Sequence, residues 1–193
     1  MSVSRPVAVL DANVLYPARL RDLLIRLALG RCFDARWSER ILDECFTNLR
    51  DNRPDLSDER LDRTRRLMQI AVPDALVAEQ AELVSEVDLP DVDDRHVLAT
   101  AISAGAEVIV TANLADFPAG VLARYDVEAL SADAFVHRLW TKAPMLVSLL
   151  VEQQAAELQR PSMSTAELLD GLEAVGLTLT VHALRSAPPP SEP

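Results

Sequence analysis

Val7-Ala8-Val9-Leu10-Asp11-Ala12-Asn13 and, far along the chain, Val108-Ile109-Val110-Thr111-Ala112-Asn113 share one design: a short, continuously apolar run that stops at a polar residue. Strands of a parallel sheet are covered on both faces and therefore read as unbroken apolar runs, without polar alternation. Two weaker runs, Phe33 to Trp37 and Val127 to Leu130, bring the expected strands to four. Segments with helical spacing lie between them, which is how an alternating α/β chain is written.

The helices are expected from apolar spacing and end signals. Leu20, Leu23, Leu24, Leu27 and Ala28 recur on one face, with Pro17 before them and Gly30 after. Ser38 is the expected N-cap of a helix that buries Ile41, Leu42, Cys45, Phe46 and Leu49 and ends across Arg50 to Pro54. Further helices are expected from Ser57 to about Ile70, from Asp74 to about Val84, and from the acidic start Pro90-Asp91-Val92-Asp93-Asp94 through Ile102 to Gly105. A last one, Ala132 to Trp140, follows Ser131. Residues 1–140 are thus expected to form one α/β domain, a parallel sheet flanked by helices.

After Thr141 no strand pattern returns. Leu146, Leu149, Leu150 and Leu158 between Pro144 and Pro161, and then Ser164 to Leu184, predict a small helical extension over residues 141–185. Residues 186–193, which hold Pro188, Pro189, Pro190 and Pro193, predict a disordered tail.

At 193 residues and 49% apolar composition the chain can bury an ordinary core. The apolar run that follows the first residues is too short for a signal-peptide core or a membrane span, so a cytoplasmic protein is expected. Cys32 and Cys45 lack the spacing of a zinc site or a disulfide framework and are expected as small core residues. The net charge of -11 argues against a nucleic-acid partner, but it is unevenly spread. Residues 1–70 carry 13 basic and 11 acidic groups, against 6 and 19 in the remainder. Arginine supplies nearly all of the positive charge, as phosphate recognition or simply a GC-rich genome would produce. In the stretch from Arg50 to Arg66, Asp51, Asp55, Asp58, Glu59 and Asp62 make a self-paired, solvated surface the default, with tracking of an RNA backbone the alternative.

Open parallel sheets do their chemistry outside the carboxyl ends of their strands. Asp11 ends the first strand, Asp94 opens the helix leading into the third, and Asp116 lies shortly after that strand. Glu44 sits among the apolar positions of its helix. Carboxylates gathered in one cleft repel unless protons or cations compensate them, and an all-oxygen donor set favours Mg²⁺ or Mn²⁺ over zinc. Such ions serve phosphodiester or phosphate-ester hydrolysis. Each acid also has a plainer role: Asp11 as a turn residue, Glu44 as partner of Arg40, Asp91, Asp93 or Asp94 as a helix cap, and Asp116 as the cap of a turn before Pro118. His96, His137 and His182 stand apart from one another, and His96 is expected as a surface or capping residue.

The stretches VLDANVLYP (residues 9–17), SERILDEC (38–45), LPDVDDRHVLATAI (89–102) and VIVTANLADFP (108–118), taken in this order, resemble the motifs of PIN-domain ribonucleases over roughly residues 6–140. Within that family the chain looks most like the VapC-type toxins of toxin-antitoxin pairs. The resemblance implies a PIN-like parallel-sheet fold, dependence on Mg²⁺ or Mn²⁺, and cleavage of RNA to a 3′-hydroxyl and a 5′-phosphate. It also implies homodimers and a cognate antitoxin protein that blocks the active site. Position by position it makes Asp11, Glu44, Asp94 and Asp116 the catalytic, metal-holding acids, with Asn13 and Thr111 in support. Asn113 departs from the pattern, since many members carry an acid there, and Asp116 would substitute from three residues on. Asp91 and Asp93 compete with Asp94. The apolar positions of residues 145–158 are expected to pack on the domain, with a dimer or antitoxin contact as the alternative. Two rival readings remain: a metal-dependent phosphatase, and a non-catalytic PIN-like module that binds RNA or protein.

Overall fold

The computed structural model describes residues 5–158 and 162–187. Strand β1 (Val7–Leu10) ends at Asp11, whose side chain caps a one-turn helix, α1 (Ala12–Leu15). Pro17 then precedes α2 (Ala18–Leu29), which buries Leu20, Leu23, Leu24 and Leu27 as its spacing requires. Strand β2 (Asp34–Ser38) runs directly into α3 (Glu39–Asn52), and the Ser38 hydroxyl accepts from the Ile41 N–H to satisfy one of the open donors of that first turn. Helix α4 (Asp58–Ala71) is capped in the same way by Ser57.

The helix expected from Asp74 to Val84 does not form. A short 3₁₀ turn at Pro73–Ala75 leads into strand β3 (Leu76–Val77), and helix α5 (Ala81–Glu86) follows. Leu76 and Val77 pair with Trp37 and Ser38 and so take up the otherwise open edge of β2. Backbone groups at a sheet edge need partners, and this demand outweighs a weak local helical spacing. The sheet therefore has five strands, one more than the sequence pattern predicts.

Helix α6 (Arg95–Ala104) closes at Gly105, which adopts a left-handed φ of 59° that favours glycine. Strand β4 (Val108–Val110) is buried throughout. The one-turn helix α7 (Ala119–Leu122), strand β5 (Glu128–Leu130) and helix α8 (Ala132–Lys142) complete the first part of the chain. All strand pairs are parallel, in the order β3-β2-β1-β4-β5. Helices cover both faces, and Phe33 meets Phe135 edge-to-face at 4.9 Å in the core.

Beyond α8 lie α9 (Pro144–Glu157), α10 (Thr165–Ala174) and α11 (Thr178–Ser186). Helix α9 packs on α2, where the Gln154 amide donates to the Arg19 carbonyl at 2.9 Å. Asp133 of α8 accepts from the Leu179 and Thr180 backbone N–H groups at 2.8 and 2.9 Å, and from the Thr180 hydroxyl at 2.8 Å, which caps α11. The proline-rich tail expected after this helix lies, from residue 188 onward, outside the described residues. Among the described residues no helix is long and apolar enough to cross a membrane.

Candidate active site

The strand order reverses direction at β1, with β2 on one side and β4 on the other, so a crevice opens beyond the carboxyl ends of β1 and β4. The Asp11 N–H donates to the Val110 carbonyl at 3.1 Å and ties the two strand ends together. A cleft of about 380 Å³ lies there. Asp11, Glu44 and Asp94 line it together with Asn13 and Asn113.

Asp11 is only 3% exposed. One oxygen accepts from the Ala12 N–H at 2.6 Å, and the other accepts from the Asn13 amide at 2.6 Å and the Thr111 hydroxyl at 2.7 Å. Asn13 turns its own carbonyl to the Ala112 N–H, and the Thr111 oxygen accepts from the Asn113 N–H. Asn13 and Thr111 therefore fix the carboxylate and the loop after β4 as one unit. Burial still holds the Asp11 carboxyl above its ordinary value and Glu44 adds to the rise, against the hydrogen bonds of Thr111 and Ala12 and the nearby His96.

Asp94 precedes α6 but makes no side-chain cap bond. Capping does not account for it. Its carboxyl is pushed up to about 6, first by burial and then by the negative charges of Asp11, Asp91 and Asp116. Asp91 instead folds locally, accepting from the Asp93 N–H at 2.9 Å, and both Asp91 and Asp93 are exposed. Glu44 combines its two expected roles: it lines the cleft, and one of its oxygens lies 3.6 Å from Arg40 Nε. Asp116 sits half-buried in a 3₁₀ turn at Leu114–Asp116, outside the residues that line the cleft, and acts on Asp94 through its charge. Asn113 occupies the cleft wall instead.

His96 is not a surface or capping residue. It is 1% exposed, with Nδ1 at 2.6 Å from the Asp93 carbonyl and Nε2 at 3.3 Å from a Glu44 oxygen. Its position in α6 next to an apolar run, Val97-Leu98-Ala99, was the available signal, because that face must turn inward. Tyr16, Asn48 and Asn52 also line the cleft. Glu44, Asn48 and Asn52 recur four residues apart, one polar stripe bordering the buried Ile41, Leu42, Cys45 and Leu49, and that spacing is readable in the sequence.

Around Arg50 to Arg66 the expected self-pairing holds only in part, for Arg65 reaches outside the stretch and no ion pair among the described residues involves Arg60, Arg63 or Arg66. Arg50 meets Asp58, Arg53 meets Asp55, and Arg65 meets Glu39 and Asp43. Cys32 and Cys45 are free thiols, the second buried.

Among the described residues no three acidic, histidine or cysteine side chains close on one point as a ready ligand set. The donor chemistry nonetheless fits a hard divalent cation. The cleft offers oxygen donors, two of its carboxyls are raised by burial and by like charge, and such ions are commonly held by one or two carboxylates with water completing the shell. Asp11 and Asp94 could hold it, with Glu44 across the cleft.

These features define a parallel α/β domain with an acidic crevice at its switch point, and the chain belongs to the PIN domain family, whose model matches residues 7–115. Residues 132–186 match a second model, the VapC50 C-terminal domain, which begins within the first turn of α8. Over 43 residues the chain is 54% identical to the Mycobacterium tuberculosis (strain ATCC 25618 / H37Rv) protein named "Putative ribonuclease VapC50". That stretch is 22% of this chain and 25% of the relative, so the alignment spans about a quarter of the relative's length. No solved structure matches the chain significantly.

Proposed function

We propose that the protein is a cytoplasmic, Mg²⁺- or Mn²⁺-dependent endoribonuclease, the toxin of a type II toxin-antitoxin pair, built as a nuclease domain over residues 1–140 with a helical extension. The observation that carries this reading is the single cleft lined by Asp11, Glu44 and Asp94, where burial and like charge hold the Asp11 and Asp94 carboxyls above their ordinary values. Two such carboxyls sharing a crevice lower their free energy by gaining a cation, and perturbed carboxyls in a cleft mark functional sites.

A bound divalent ion supplies electrostatic stabilisation of the phosphoryl oxygens and acidifies water. Asp11, oriented by Ala12, Asn13 and Thr111, and Asp94 hold it. Glu44 orients the attacking water and accepts its proton, and Asp116 strengthens the negative field from the rim. Tyr16 stacks a base of the RNA, while Asn48, Asn52 and Asn113 hydrogen-bond to the chain. These contacts are uncharged, which suits a strongly acidic protein that must bind a polyanion through the ion and through bases instead of a basic surface. A cognate antitoxin covers the crevice in the resting pair, and the active protein is a homodimer.

The test is cleavage of a mixed RNA pool by purified protein with Mn²⁺ or Mg²⁺, beside Asp11→Asn and an EDTA control. Cleavage that disappears in both controls is expected. An Asp11→Asn variant as active as the wild type sinks the assignment. The rival binding-module reading draws on Asn113, which places a neutral side chain where the family often has an acid. Calorimetry that detects no Mn²⁺ binding favours that rival.

A further inference from the structure

His96 is the buried polar group that the nuclease chemistry leaves unused. Its Nδ1 faces the Asp93 backbone carbonyl at 2.6 Å. A carbonyl only accepts, so Nδ1 carries a hydrogen. Its Nε2 is buried without an aligned hydrogen bond, and its polar neighbour is a Glu44 oxygen 3.3 Å away. The ring is thus pinned by the backbone on one side and aimed at a cleft carboxylate on the other.

From this geometry we infer that His96 is the positioning residue for Glu44: its Nε2 edge shares one hydrogen with one carboxylate oxygen and leaves the second for the ligand in the cleft. Arg40 approaches the same Glu44 oxygen from the helix surface, at 3.6 Å. Two nitrogens from two elements, α3 and α6, therefore converge on that oxygen. A glutamate on a helix surface otherwise samples several rotamers, and fixing it in advance avoids that ordering cost at the moment of reaction. The same contact gives Asp93 a role that its exposed carboxylate does not suggest. Its backbone carbonyl sets which ring nitrogen of His96 faces the acid.

The kinetic part of this inference rests on the nuclease reading; the contact itself does not. In the metal-free, RNA-free protein, ¹⁵N spectra of the imidazole are expected to show a hydrogen on Nδ1 of His96, with the Nε2 signal moving in Glu44→Gln. An Nε2 signal indifferent to Glu44→Gln, or an Nδ1 without hydrogen, overturns the inference even if RNA is cleaved. With Mn²⁺ and RNA, His96→Asn keeps only the donor toward Asp93, whereas His96→Gln keeps a donor near the Nε2 position. His96→Asn is expected to lower kcat by about 10-fold to 100-fold with KM little changed, and His96→Gln to recover most of the loss. In a Glu44→Gln background His96→Asn is expected to cost nothing more. Equal losses in the Asn and Gln variants, or losses that add fully to that of Glu44→Gln, assign His96 to packing alone. Wild-type protein that fails to cleave RNA counts against the nuclease reading, and the ¹⁵N result then decides the positioning role by itself.

Discussion

Asp11 and Asp133 are both carboxylates that accept three hydrogen bonds or more, yet they do different work. Asp133 stands on α8 where the helical extension docks, and its partners are the first N–H groups of α11 together with a hydroxyl from the same turn. Its charge lies where a helix start presents positive potential, and the need is met within the fold. The neighbouring acids are satisfied in the same spirit: Glu167 completes a capping box with Ser164, and Asp170 and Glu173 share Arg185. The extension also borders an open apolar pocket of about 390 Å³ against Trp140, Met145 and Ala183, with no acid in its lining. In the crevice Asp11 is held as firmly but faces Glu44 and Asp94, and its carboxyl remains raised. The contrast teaches that a well-bonded acid does not by itself mark a site, since those of the extension are held as firmly. What marks it is charge that the fold positions and does not neutralise.

The largest effect that separates the two regions is catalytic. Asp11→Asn keeps most of the hydrogen-bonding shape but loses the charge, and RNA cleavage is expected to fall by roughly 100-fold or more. Asp133→Asn should leave cleavage within a few-fold of wild type, and a comparable loss there breaks the contrast. Metal linkage comes next. Mn²⁺ at a hundred times its dissociation constant is expected to stabilise wild-type protein by about 2.7 kcal/mol in denaturant titrations, and to stabilise Asp11→Asn much less.

Asp133→Ala removes the acceptor that caps the Leu179 and Thr180 N–H groups, at a cost of about 1–2 kcal/mol. Thermal melts read this as a fall in Tm of roughly 2–4 °C per kcal/mol, with the Mn²⁺ stabilisation intact. The smallest effect has the opposite sign. Asp94→Asn relieves repulsion with Asp11, Asp91 and Asp116 and is expected to raise stability at neutral pH by about 0.5 kcal/mol, a modest figure because the side chain is partly solvated. The pH dependence follows from the same group. Between an unfolded value near 3.8 and a folded value of about 6, the native state holds a proton that the unfolded chain has released. The Asp94 contribution to stability therefore declines as pH rises through that window. Denaturant midpoints measured from pH 4 to 7 should lose this component in Asp94→Asn and in wild-type protein saturated with Mn²⁺.

Continuous apolar runs made β1 and β4 legible, because a strand covered on both faces has few other ways to be written. Helix ends were legible where one residue type does the capping, as at Ser38, Ser57, Gly105 and Ser131. Asp11 could be singled out because it ends a central strand, and Glu44 because an acid stood among apolar positions of a helix. By contrast, β3 is two residues long and exists because β2 offers an open edge, a demand that local spacing does not encode. His96 escaped for a similar reason. The apolar run beside it signals burial but names no partner, and Glu44 lies on another helix, brought close by α6 packing on β2.

What the sequence determined by itself is the α/β alternation, the family, and the list of acids in order along the chain. Periodicity, capping chemistry and strand-end position are local properties, and local properties survive in one dimension. The tertiary structure alone decided which acids share a cleft. It put Asn113 on the wall and Asp116 on the rim, left Asp94 uncapped, and turned His96 inward to Glu44. Those outcomes depend on the angle and distance at which separate elements meet, and the strength of a charge depends on burial and on neighbours that only the folded chain supplies.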